Sequence, residues 1–355
     1  MNFEDEQQDE IDHFDRLPDP LVLLIFNKIH DHDSLFNCLS VSKRFNSLLP
    51  QIDDLFIKLH RRAFNFFDPD EDDRHCCCSK PKSNSSKNPF KHFLRKPLKF
   101  IHKLISPNPS STSPNSNPKT QSPDQILKNF REIQSLKLQL PSWSGILGSN
   151  VGCELLKWRA EFGAELEKCA IIAAESFYRE NNFDENKKKS SNQELFEQDL
   201  NLRVMWTVSC LIAASARHRL LQKMIKDHEK IKNVTVSDSE KQGTLRMNEE
   251  QIRKSCFCSS NSEEWGERMF SEMERSRIPN VRVRLWYVPK QELKESGHVM
   301  EGATLIVINP IDKISDDDGW ISQAFDGDEE ENPLKDAVEV MIRSELHYVL
   351  EINSF

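Results

Sequence analysis

The chain has 355 residues and a net charge of -9, from 57 Asp or Glu against 48 Lys or Arg, a balance that argues against general nucleic-acid binding. It contains 10 glycines where average usage would give about twice that number, and it shows no phosphate-cradling loop or dinucleotide fingerprint. Nine cysteines, an odd number, are expected to be reduced thiols in cytosol or nucleus rather than a disulfide framework.

The length predicts two or three units joined by linkers. Residues 1–14 read as an acidic disordered tail, the opposite of the basic start of a secretory leader. Residues 15–50 then read as three short helices. Asp19 followed by Pro20 is an N-cap and N1 pair, and the helix it opens stops near His30 to Asp33. Ser34 is placed to cap a second helix carrying Leu35, Phe36, Cys38 and Leu39, and a third runs from Val41 to Leu49. Between Leu17 and Leu49, 16 of 33 residues are aliphatic, aromatic or cysteine, more than three short helices can hide. The surplus predicts either a permanent partner or burial against the rest of the chain. A further helical stretch through Phe67 completes a unit at 15–67.

Residues 68–123 are rich in Cys, Ser, Asn, Pro and Lys and are expected to form a disordered basic linker, with ten Lys or Arg and no acid between Arg74 and Pro123. The triplet Cys76, Cys77 and Cys78 lacks the paired spacing of a zinc site. Beside a basic, aromatic segment it is a candidate for lipidation, which gives an alternative reading of the chain as a peripheral membrane or scaffold protein.

Residues 124–355 read as an irregular α/β domain. It opens on an amphipathic helix with Ile126, Leu127, Phe130 and Ile133. Strands are predicted at Ser135 to Leu140, Cys169 to Ala173, Asn233 to Val236, Val281 to Val288 and Thr304 to Ile308. A long helix is predicted from Leu202 to His228, with Val208, Ile212, Ala216, Leu220 and Met224 at steps of four and Leu211, Leu221 and Ile225 widening the stripe. Its least polar run, Val204 to Ala216, is too short to span a bilayer. Alternating strands and helices favour parallel pairing with helical crossovers, and Leu136-Lys137-Leu138-Gln139-Leu140 admits a leucine-rich-repeat-like alternative. An acidic loop is expected at about 312–331, with nine acids and one lysine, followed by a closing helix from Leu334 to Ile352.

Catalytic and metal groupings are scarce, and no cofactor is implied. His218 and His228 lie almost three turns apart on the long helix, too far to share a ligand, and read as surface or capping residues.

Residues 15–50 resemble the F-box: Leu17-Pro18 at the start, Ile25-Phe26 in the first helix, Ser34-Leu35 opening the second, and Val41-Ser42-Lys43-Arg44-Phe45 before the last leucines. The family often has Trp where Phe45 stands. The resemblance implies that these helices dock on a SKP1-like adaptor and through it on cullin and RING proteins, while the remainder holds an unidentified client for ubiquitination. Leu17, Pro18, Leu21, Ile25, Phe26, Leu35, Val41 and Phe45 match family positions that build either the helical core or the adaptor contact. Downstream, Gln125-Ile126-Leu127-Lys128-Asn129-Phe130, Leu156-Lys157-Trp158, Leu211-Ile212-Ala213-Ala214-Ser215 and Gly302-Ala303-Thr304-Leu305 resemble the auxin up-regulated group of plant F-box proteins. By that likeness the chain is a non-catalytic adaptor of a ubiquitin ligase in nucleus or cytoplasm, near hormone responses.

Overall fold

The computed structural model describes residues 13–29, 31–59, 126–141, 153–179, 195–260, 278–313, 318–325, 333–344 and 347–353. The expected acidic tail up to residue 12, the whole basic linker at 68–123 with Cys76 to Cys78, and 314–317 and 326–331 of the acidic loop lie outside the described residues. The last two residues of the expected tail, His13 and Phe14, open a 3-10 turn that runs to Arg16.

Three helices come first: α1 (Asp19–Asn27), α2 (His32–Leu39) and α3 (Lys43–Leu48). Their caps differ from the sequence expectation. Pro18 is the N-cap of α1 and Asp19 lies inside the helix. Asp31 caps α2 by accepting from the Ser34 N–H, so Ser34 is the capped residue rather than the cap. Ser42 caps α3 by accepting from the Phe45 N–H at 3.1 Å.

A strand, β1 (Asp54–Lys58), follows where a helix toward Phe67 was expected. The others are β2 (Ser135–Leu140), β3 (Leu155–Phe162), β4 (Leu166–Ala174), β5 (Ser176–Arg179), β6 (Asn233–Asp238), β7 (Gly243–Met247), β8 (Val281–Leu293), β9 (His298–Pro310) and β10 (Tyr348–Ile352). All five predicted strands are present. The remaining helices are α4 (Leu195–Ile225), α5 (Glu249–Ser260), α6 (Gly319–Ala324) and α7 (Pro333–Ile342). Only the end of the expected amphipathic helix lies among the described residues, Ile126 and Leu127 being helical ahead of a turn, and Ile126, Leu127, Phe130 and Ile133 are all buried. The predicted closing helix ends at Ile342, and Tyr348 to Ile352 form a strand instead.

The strands make one ten-stranded sheet in the order β1-β2-β6-β7-β3-β4-β9-β8-β10, with β5 also on β9. Only β1 with β2, β2 with β6 and β3 with β7 pair parallel; the rest are antiparallel. The expected preference for parallel pairing is therefore met at three pairings and corrected at the rest. A single mixed sheet also displaces the repeat reading, because a solenoid stacks equivalent units and these strands differ in direction and neighbour.

Helices cover both faces. Cys169, Ile171 and Ala173 of β4 and Ile306 and Ile308 of β9 face the α4 side, while Ala170, Ile172, Ala174, Leu305 and Val307 face α6 and α7. That is the two-residue period of a strand with both sides dry, which produces continuous apolar runs instead of alternation. The larger core continues without interruption from β4 and α4 through Leu136 and Leu138 to Leu55 and Ile57 of β1, then to Leu35, Phe26 and Val22 of the helices.

Candidate functional site

The apolar residues of α1 divide by helical spacing. Val22 and Phe26, one turn apart, are buried and face inward. Leu21, Leu24 and Ile25 occupy the opposite side at i, i+3 and i+4 and are 39–57% exposed. Val41, at the turn into α3, is 66% exposed.

Polar contacts hold this surface in place. The Arg44 guanidinium donates to Asp19 Oδ1 at 2.9 and 2.7 Å, to the Phe14 carbonyl at 2.8 Å and to the Leu17 carbonyl. One side chain of α3 thereby fixes the entry to α1. Phe45, the next residue, receives Phe14 and Phe26 edge-on at centroid distances of 5.7 and 5.1 Å. The Ser34 hydroxyl and N–H both donate to Asp31 and hold its carboxyl below the ordinary value.

The other side of the helical unit is fastened to the sheet. Asn27 Oδ1 accepts from the Asp53 N–H at 3.0 Å, just ahead of β1. The Pro50 carbonyl accepts from Arg131 N–H at 3.1 Å, and Phe36 meets Phe130 edge-on at 6.0 Å. Burial against the rest of the chain, one of the two alternatives drawn from the sequence, therefore holds for one face of these helices, while the apolar row on the other face stays exposed.

The structure separates the eight positions singled out from the sequence. Phe26, Leu35 and Phe45 are core residues, Leu17 is half-buried, and Pro18, Leu21, Ile25 and Val41 are exposed. Sequence reasoning missed Leu24 and Arg44. Leu24 was detectable, since it falls between Leu21 and Ile25 on one helical face. Arg44 was not, because its partners are 25 or more residues away in sequence.

Among the described residues, two of the buried polar clusters tie α4 to its neighbours through Arg217 and His218. Arg217 of α4 donates to Asp238 Oδ2 at 2.7 Å and to the Gly243 carbonyl, and its guanidinium stacks on Trp158 at 4.5 Å. Asp238 also accepts from the backbone N–H groups of Glu240, Gln242 and Gly243 at 2.8–3.1 Å. A Cβ at position 243 would stand 2.2 Å from the Trp158 indole, so only glycine fits.

His218 was expected at the surface but is fully buried, stacked on Phe162 at 4.6 Å with Nε2 3.0 Å from Ser255 Oγ. Gln222 donates to the same hydroxyl at 3.1 Å. Burial lowers the His218 pKa to about 4, keeping the ring neutral near pH 7. Histidine beside serine is a pairing used in nucleophilic catalysis, but neither residue has any solvent exposure, and here the pair links α4 to α5. Among the described residues no cluster of His, Cys, Asp or Glu could hold a metal ion, and no helix is long and apolar enough to cross a membrane.

A three-helix unit with one apolar face open, fused to a sheet domain, is the arrangement expected of an F-box chain, and sequence comparison shows the kinship. The chain belongs to the F-box protein family. It is 37% identical to F-box protein At4g18380 of Arabidopsis thaliana, covering 98% of this chain and 95% of the relative. It is 35% identical to F-box protein At5g46170 of the same plant, over 98% and 94%. F-box protein AUF1, also from Arabidopsis thaliana, is 32% identical over 97% of this chain and the whole of the relative, in keeping with the likeness to the auxin up-regulated group. No protein-family profile and no solved structure matches the chain.

Proposed function

We propose that the chain is the substrate-recognition subunit of a SKP1-cullin-F-box ubiquitin ligase, docking a SKP1-like adaptor through α1 and the turn at Val41. The observation that carries this is the exposed row Leu21, Leu24 and Ile25 on a helix whose other face is anchored in the core. An apolar row on a rigid helix is suited to a permanent protein partner, since its burial releases roughly 25 cal/mol for each Å² removed from water. The F-box names of the relatives support the same role.

In this reading the sheet domain recognises a client protein, and ubiquitin transfer takes place on the partner enzymes, so the chain needs no nucleophile of its own. The likeness to AUF1 and AUF2 supports a plant setting near auxin responses as part of this reading. The reading also carries the proposal of a nuclear or cytoplasmic location.

The test is reconstitution with a SKP1-like adaptor, cullin, RING protein and the ubiquitin-activating and -conjugating enzymes. The chain itself is expected to acquire ubiquitin in the full mixture and to lose this when the adaptor is omitted or Leu21→Asp and Leu24→Asp are introduced. Modification that is indifferent to the adaptor and to both substitutions would rule the reading out.

A further inference from the structure

The sheet has two very different edges. At one, β1 is covered by α2 and lies in the continuous core. At the other, β10 pairs with β8 and has no strand on its outer side among the described residues. Tyr348, Val349 and Leu350 are each at least half exposed, although alternate residues of a strand point to opposite faces. Neither helical layer therefore reaches over this strand. An open edge with consecutive apolar residues is a template for another strand, and proteins normally blunt it with charge, proline or a cover. Here the only charge on the strand is Glu351, already engaged by Arg282 of β8 at 2.8 Å.

We propose that β10 is a self-association edge, at which two copies of this chain pair their β10 strands antiparallel about a two-fold axis at Leu350. The strand is self-complementary in that register. Tyr348 stands opposite Ile352 of the other copy, Val349 opposite Glu351, and Leu350 opposite itself. All five residues are used and no like charges meet. Centring on Glu351 would set two carboxylates against each other, and a half-step shift would pair residues pointing to opposite faces.

The α4-side face continues the pattern. Tyr348, Leu350 and Ile352 lie beside Leu285, Val283 and Val281 of the larger core, so the paired strands extend an existing apolar ribbon into the second copy. Five residues per copy make a contact smaller than the standard interface of about 1,600 Å², so association is expected in the micromolar range. The nine-strand path from β1 to β10 is eight steps of about 4.8 Å, which puts the α1 face on the order of 40 Å from the paired edge and leaves it free in both copies.

The experiment is sedimentation velocity on the full chain up to about 100 µM. The native chain is expected to shift from monomer to dimer across that range. Leu350→Lys and Leu350→Glu, exposed changes that leave the melting temperature unaltered, are each expected to stay monomeric, and an equimolar mixture is expected to recover the dimer because the two charges then face one another. A native chain that remains monomeric throughout overturns the proposal and leaves the edge to a strand from a different protein. Charge variants that dimerise as the native chain does, or a mixture that stays monomeric, overturn it as well.

Discussion

Arg217 and Asp238 carry opposite charges with essentially no exposure to solvent, and each is held by further hydrogen bonds. Removing one member strands the other in a medium that solvates it poorly. Arg217→Ala is expected to cost about 3–5 kcal/mol in urea unfolding. His218 makes a pH prediction. Its pKa falls from 6.5 unfolded to about 4 folded, so the unfolded chain binds more protons between those values. Stability should be full above about pH 6.5 and decline toward pH 4, by on the order of 3 kcal/mol for this residue. His218→Gln should flatten that part of the profile. An unchanged slope in the variant would show that the ring is not held neutral. His218 was read as a surface or capping residue, although its place seven residues after Leu211 and seven before Ile225, on the stripe already recognised, was a detectable sign of burial. Its Ser255 partner, 37 residues away, was not legible.

At the scale of the element, α1 carries two functions on two faces, and substitutions should separate them. Phe26→Ala empties a core site and is expected to lower stability by about 3–5 kcal/mol. Leu24→Asp changes an exposed position and should stay within about 0.5 kcal/mol of the native chain. Thermal unfolding of the two variants checks the division, and equal losses would contradict it. The three helices were legible because their signals are local, a proline near the start and a helical apolar period, although the capping residues were misplaced by one position at α1 and three at α2. The strands β1 and β10 were misread for the opposite reason. Asp54–Lys58 is a strand because it lies parallel to β2, with Leu55 beside Leu136 and Ile57 beside Leu138, a pairing with a segment some 80 residues away. Past Ile342 the apolar spacing still suits a helix, yet Tyr348 and Leu350 pair with Leu285 and Val283 of β8. Long-range partners override local preference in both cases.

Across the whole molecule, the α/β class was legible from alternating segment types, but not the mixed order of the sheet, which no local pattern encodes. Burial of the helical unit against the rest of the chain was one of two alternatives open from the sequence, and the structure makes the helices and the sheet share one continuous core. That continuity predicts that the helices are not a detachable module. A chain lacking residues 13–59 uncovers Leu136 and Leu138 along the exposed edge of β2, and its circular dichroism melt is expected to be lower and broader, with aggregation. A sharp melt at the native temperature would show two independent domains.

In the proposed ligase the open face of α1 binds a SKP1-like adaptor while its other face holds the fold. Calorimetric titration of the adaptor into the full chain tests this most directly, with Leu21→Asp, Leu24→Asp and Ile25→Asp combined in one variant. One-to-one binding is expected of the native chain, and at least a hundredfold weaker binding, about 2.7 kcal/mol or more, of the variant, with its unfolding transition preserved. Native binding that is absent, or that survives all three substitutions undiminished, would contradict it.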